Sequence, residues 1–173
     1  SYFIWSTMPD DELLDVAASG KLSEPKTLRA EADRMLADPK AETSMTEGFA
    51  AQWLRTADFL NFVPDRKIYR NFDPELPGDA VKETKMFFRE VFAQNLSIFT
   101  FLDSDFAMVN DRLAEFYGLE PVKGRDFRRV SLPQTSPRGG LLGQAGVHLL
   151  GSDGIRTKPC LLYTSDAADE YSG

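Results

Sequence analysis

The segment DAVKETKMFFREVFAQN, residues 79–95, restricts the fold more than any other part of this chain. Val81, Lys85, Phe88 and Phe92 share one side of a helix, and Met86, Phe87 and Val91 widen the apolar face. A helix this aromatic must bury more than one side, so it belongs at the centre of a bundle. The material for such a core is present: 42% of residues are hydrophobic and 13 are Phe. A length of 173 residues leaves room for one domain, or for one domain and part of a second.

Further helices are expected on both sides of this one. STMPDDELLDVAASGKL carries both end signals. Thr7 and Asp10 have capping-box spacing, Pro9 suits the first turn and Gly20 the stop. The acidic trio Asp10, Asp11 and Glu12 complements the positive end of that helix rather than forming a metal site. A second helix spans Ser23 to Ala37, with Leu28, Ala32, Met35 and Leu36 as its buried stripe. A third, ETSMTEGFAAQWLRTADFL, places Met45, Phe49, Trp53 and Leu60 on one face, read as core. The Pro-rich NFVPDRKIYRNFDPELPGD is expected to be a packed loop anchored by Phe62, Tyr69 and Phe72. After the central helix, Ser97 caps the short turn IFTFL, and DSDFAMVN reads as an extended connector. Asn110 caps DRLAEFYGL, with Leu113, Phe116 and Tyr117 facing inward, and the first unit closes near Gly118.

Beyond Gly118 the texture changes to Gly, Pro and Arg, with one short strand expected around Phe127 to Leu132. GLLGQAGVHLL alternates small and apolar residues, as a helix in close contact with a neighbour would. The fold class is therefore mainly α: a helical bundle with irregular Pro-rich connections, then a Gly/Arg-rich segment with at most a short strand.

A formal charge of −7 argues against a nucleic-acid surface, which needs clustered Lys and Arg. No apolar run approaches the roughly 20 residues that span a bilayer. The chain opens at Ser1, so no signal peptide is read from it. Asp103 and Asp105 are the best paired carboxylates. A calcium loop would need oxygen ligands where Phe106, Ala107, Met108 and Val109 stand, which favours turn formation and capping. His148, the single histidine, has no nucleophile pattern around it. Lys123, Arg125, Arg128, Arg129 and Arg138 are the one basic concentration. With the backbone N–H groups of Gly139 and Gly140 they form a candidate anion site, against the plainer reading of arginines paired to acidic helices. No P-loop, C-x-x-C, H-E-x-x-H or G-x-G-x-x-G pattern occurs, and no catalytic or metal-binding constellation is visible.

Several blocks in order carry a family resemblance: SYFIWSTMPDDELLDVAASGKL, RMLADPKAE with FAAQWL, VNDRLAEFYGL, FRRVSLP, PRGGLLGQAGV and GIRTKP. Together they resemble the planctomycete-type multidomain cytochrome c proteins, over Ser1 to Pro159. The resemblance implies a helical domain of unknown function over residues 1–118 and a linker over 119–132. It implies the truncated start of a planctomycete cytochrome c domain over 133–159. Haem c is implied in a downstream part of the parent protein, beyond a basic helix and a proline-rich run, at a C-x-x-C-H motif. The family's haem-binding residues map onto no position here. The remaining domains of the parent chain are the implied partners, and export to the periplasm or beyond is the implied location.

Residues 160–173, CLLYTSDAADEYSG, resemble a translated sequencing adapter and are expected to be a non-native tail. The functional expectation is a non-catalytic structural module of a secreted haem c-containing protein. The alternative is part of an extracytoplasmic enzyme acting on an anionic or carbohydrate substrate where the two segments meet. There Asp103 or Asp105 would supply a carboxylate, and Arg128 or Arg138 would hold the substrate.

Overall fold

A computed structural model of the chain describes residues 1–61 and 63–150. The expected anchor Phe62, the GIRTKP block and the tail from Cys160 lie outside the described residues. The fold is mainly helical, with one two-stranded antiparallel sheet among the described residues. It divides into two compact units, Ser1–Trp53 and a second from Leu54 onward.

In the first unit α1 (Tyr2–Trp5), α2 (Asp11–Ala18) and α3 (Pro25–Ala37) precede α4 (Pro39–Thr43). The chain then winds through a π-helical stretch, Ser44–Ala50, into α5 (Ala51–Trp53). Asp10 caps α2 by accepting the Leu13 N–H at 3.0 Å. The capping box assigned to Thr7 is thus not formed, since the helix begins one residue after Asp10 and the Thr7 hydroxyl turns to Met8 O. The Asp10 carboxylate also receives two hydrogen bonds from Arg34, at 2.8 and 3.1 Å, tying α2 to α3. Trp5 is the buried anchor: its indole N–H donates to Met35 O at 2.8 Å, and Lys40 Nζ lies 4.8 Å from the ring centroid.

The stripes expected for the second and third helices are only partly buried. Met35 is in the core, but Leu28, Leu36, Phe49, Trp53 and Leu60 are exposed. Two backbone features explain the third helix. In the π-helical stretch the Ala51 N–H reaches back five residues to Thr46 O, which rotates everything after it around the axis. Arg55, at φ 50°, then ends the helix in left-handed backbone that an L-residue adopts at a cost of about 1–2 kcal/mol. Ala50, Thr56 and Phe59 are buried in place of the predicted positions.

The second unit is organised around α6 (Leu76–Ala93). Pro77 sits in its first turn, where no N–H is needed. Asn95, at φ 48°, closes its far end, with Leu96 N–H returning to Val91 O and Asn95 N–H to Phe92 O. The predicted extended connector is β1 (Phe106–Val109), which follows a turn at Ile98–Phe101 that Ser97 caps as expected. Strand β1 pairs antiparallel with β2 (Arg128–Ser131), in a register running from Phe106 opposite Ser131 to Val109 opposite Arg128. Between the strands lies α7 (Asp111–Tyr117), capped by Asn110 at 2.9 Å and ended by Gly118 at φ 66°. Phe116, expected inside, is exposed. The chain continues through a tight turn at Leu141–Gly143 to α8 (Ala145–Leu150).

Strand alternation splits the core in two. Ala107 and Val109 join Phe59, Leu76, Ala80, Leu113 and Ala145 on one side. Phe106 and Met108 join Phe87, Val91 and Leu141 on the other. The first half of α6 serves one cluster and the second half serves the other. Residues Glu83 and Thr84 fall between them, on the buried face. Gly146 packs α8 so closely on the Phe59 ring that a Cβ would clash, which is the close contact expected for this helix.

Candidate functional site

The residues nominated from sequence do not converge. The Asp105 side chain is 90% exposed and lies 3.9 Å from Arg129. Asp103 is exposed beside Gly139, at the end of the 98–101 turn. Arg125 is exposed in the loop before β2, and Arg128 donates to Lys123 O at 2.8 Å. The pleat sends adjacent strand residues to opposite faces, which separates Arg128 from Arg129. Arg129 turns to Glu90 on α6 at 3.2 Å and rests its guanidinium 3.9 Å from the Phe106 ring centroid. Arg138 lies against another pair of rings, 4.5 Å from the Tyr117 centroid and 5.9 Å from that of Phe116. The structure thus brings Asp105, Arg129 and Glu90 together and leaves Arg138 apart. Gly140 is buried rather than presenting an open N–H. Its φ of 69° carries the chain past Leu102, where a Cβ would meet the carbonyl oxygen at 2.5 Å.

Arg138 lines a cleft of about 600 Å³ in the second unit. Tyr69 and Phe72 come from the Pro-rich loop, Phe116 from α7, Leu142 from the turn before α8, and His148 and Leu149 from α8 itself. An adjoining cleft of about 490 Å³ shares Tyr69 and Phe72 and is edged by Arg66, Arg70 and Glu75. Pockets of this size accept small organic molecules.

Next to Arg138 lies a buried polar cluster that sequence reasoning did not find. The Tyr117 hydroxyl is 2.8 and 2.6 Å from the two carboxyl oxygens of Glu83, and accepts the Ala145 N–H at 2.7 Å. Beside it, Thr84 Oγ1 lies 2.7 Å from Gln144 Oε1. Together these bonds tie α6, α7 and α8. Burial pushes the Glu83 carboxyl up to about 8, and the Tyr117 bond, the Ala145 N–H and the Arg138 charge offset this only in part. Burial likewise raises the Tyr117 phenol, with the neighbouring Glu83 adding to the effect. At neutral pH both groups are therefore uncharged, and the cluster is held by hydrogen bonds between neutral partners. A signal existed: Leu76, Ala80, Phe87 and Val91 form a helical stripe, and Glu83 occupies the position the stripe leaves for an apolar residue.

A second polar node holds α7 to the start of α6. Arg112 pairs with Asp73 at 2.6 Å and with Asp79 at 2.8 Å, and Asp79 is itself buried in the first turn of α6. These groups are committed to one another as ion pairs. Among the described residues no group of three His, Cys, Asp or Glu could hold a metal ion. None of the described helices is long and apolar enough to cross a membrane. Nor do the described residues fit a covalent haem site, because cysteine is absent among them and His148 stands alone in the cleft.

Among curated proteins and solved structures, none matches this chain. A family model described as PSD4, protein of unknown function (DUF1592), matches residues 1–119. That match covers all of the first unit and the second as far as the end of α7, and the chain belongs to this family.

Proposed function

We propose that this chain is a structural module, without chemistry of its own, of an exported protein that carries haem c in another part. The observation that supports this most is how the charged side chains are used. Arg129 and Glu90 fasten β2 to α6, Arg112 fastens α7 to α6, and Glu83 with Tyr117 fastens α8 to both. Asp103 and Asp105 are exposed and are not among the residues that line the cleft with Arg138. Polar groups arranged this way lock packing elements together; they do not aim at a common reacting atom. The resemblance to planctomycete-type cytochrome c proteins supplies the haem and the export. The test uses the complete parent protein. Covalent haem c in its absorption spectrum, unchanged by Asp103→Ala, Asp105→Ala or Arg128→Ala, fits the proposal. Loss of a catalytic turnover in any of these variants contradicts it.

One observation favours a second reading, an enzyme acting on an anionic or carbohydrate substrate. The cleft combines Tyr69 and Phe116 of the family domain with Arg138 and His148 of the following segment. A change in substrate turnover in Arg138→Gln or His148→Ala of the parent protein would select that reading.

A further inference from the structure

We infer that the cleft between the Pro-rich loop, α7 and α8 is a binding site for a small organic anion with a flat apolar body, such as an aromatic carboxylate. The inference is independent of the haem reading. It starts from Arg138, a half-buried cation with no carboxylate within ion-pair distance among the described residues. Its fork of N–H donors makes one hydrogen bond in this region, from Nη1 to Gly143 O at 3.3 Å. The other arginines set among packed elements here, Arg112 and Arg129, each have carboxylate partners. Arg138 instead has two aromatic rings and an opening, and a guanidinium fork suits a planar carboxylate.

The rest of the wall selects the body of the ligand. Tyr69, Phe72, Phe116, Leu142 and Leu149 present rings and aliphatic carbons, so the head of a ligand would meet charge and its tail apolar surface. A volume of about 600 Å³ holds a molecule of one or two rings. Glu83, on whose carboxyl the Arg138 charge acts, is pushed up to about 8 by burial and so stays protonated at neutral pH without offsetting that charge. Such a site would serve a structural module as a point of regulation, or an enzyme as its substrate pocket.

The test is a titration of the whole 173-residue chain with benzoate and with neutral benzamide, followed by the methyl NMR signals of Leu142 and Leu149. Benzoate should bind about tenfold or more tighter than benzamide, the value of a hydrogen bond to a charged group. Arg138→Gln should remove that difference. Leu142 is an exposed wall residue, so Leu142→Trp can fill the cleft without disturbing the core, and it should abolish binding of both probes. Equal affinity for the two probes overturns the inference, as does absence of saturable binding or full retention of benzoate binding in Leu142→Trp. If Arg138→Gln fails to fold, the comparison of probes and Leu142→Trp still decide.

Discussion

Replacing Glu83 by Gln should change how the stability of this protein depends on pH. The Glu83 carboxyl is pushed up to about 8 in the folded chain, against 4.5 for an unperturbed glutamate. Between those two values the native state keeps a proton that the unfolded state has lost. Native binding of the extra proton means that stability falls as pH rises through this window, and below it the two states are equal. Each pH step within the window removes about 1.4 kcal/mol, so the wild type should lose on the order of 3 kcal/mol between about pH 5 and pH 7 from this one group. Gln has the same shape, keeps a donor and an acceptor for the Tyr117 hydroxyl, and carries no charge at any pH. Every other titrating group is common to both proteins, so the difference between them isolates Glu83. Urea unfolding followed by far-ultraviolet circular dichroism is the assay, because both tryptophans, Trp5 and Trp53, belong to the first unit whereas α6 lies in the second. The variant should gain on the wild type by about 3 kcal/mol over that range. Parallel pH profiles would refute the reasoning and show that Glu83 ionises freely in the folded protein.

Other substitutions examine separate parts of the structure. Gly146→Ala places a Cβ against the Phe59 ring and should destabilise the second unit by about 1–3 kcal/mol in urea unfolding; an unchanged midpoint would mean that α8 docks less closely. Phe87→Ala removes a ring that is 1% exposed and packed 5.2 Å from the Phe106 centroid, and should cost about 3–5 kcal/mol by the same assay. A loss below about 1 kcal/mol would displace α6 from the centre. Asp10→Asn weakens the cap of α2 and the pair with Arg34, the main cause that holds the Asp10 carboxyl down to about 2 from 3.8. Its contribution is present above the ordinary carboxylate value and is lost as pH falls through about 2. Wild type should therefore melt above the variant at neutral pH, with the gap closing in acid, and a gap that persists in strong acid would contradict the ion pair.

The parts of this fold that were legible in the sequence are those fixed by short-range chemistry. The Asn110 cap, the Gly118 and Gly20 stops and the apolar face of α6 all follow from a few neighbouring residues. The strand at Arg128–Ser131 fell inside its predicted span. Strand β1 reads from sequence only as an extended connector because both its faces are buried, which removes the polar alternation that marks a strand and leaves FAMV as a bare apolar run. Phe49 and Trp53 were misplaced because a π-helical turn cannot be read from a spacing rule that assumes uniform winding. The candidate site was less legible still. Arg138 reads from sequence as a cation, but its surroundings come from residues distant in sequence, with Tyr69 and Leu149 both lining the cleft. Glu83 was hidden because a glutamate on a helix reads as surface until its neighbours show that the position faces inward.

The most direct test of the functional account is the DNA sequence of the gene, read without interruption past Pro159 in the source organism. The account predicts that a basic helix, a proline-rich run and a C-x-x-C-H motif follow Pro159 in place of CLLYTSDAADE. Reads that instead run through CLLYTSDAADE to a stop codon would contradict it.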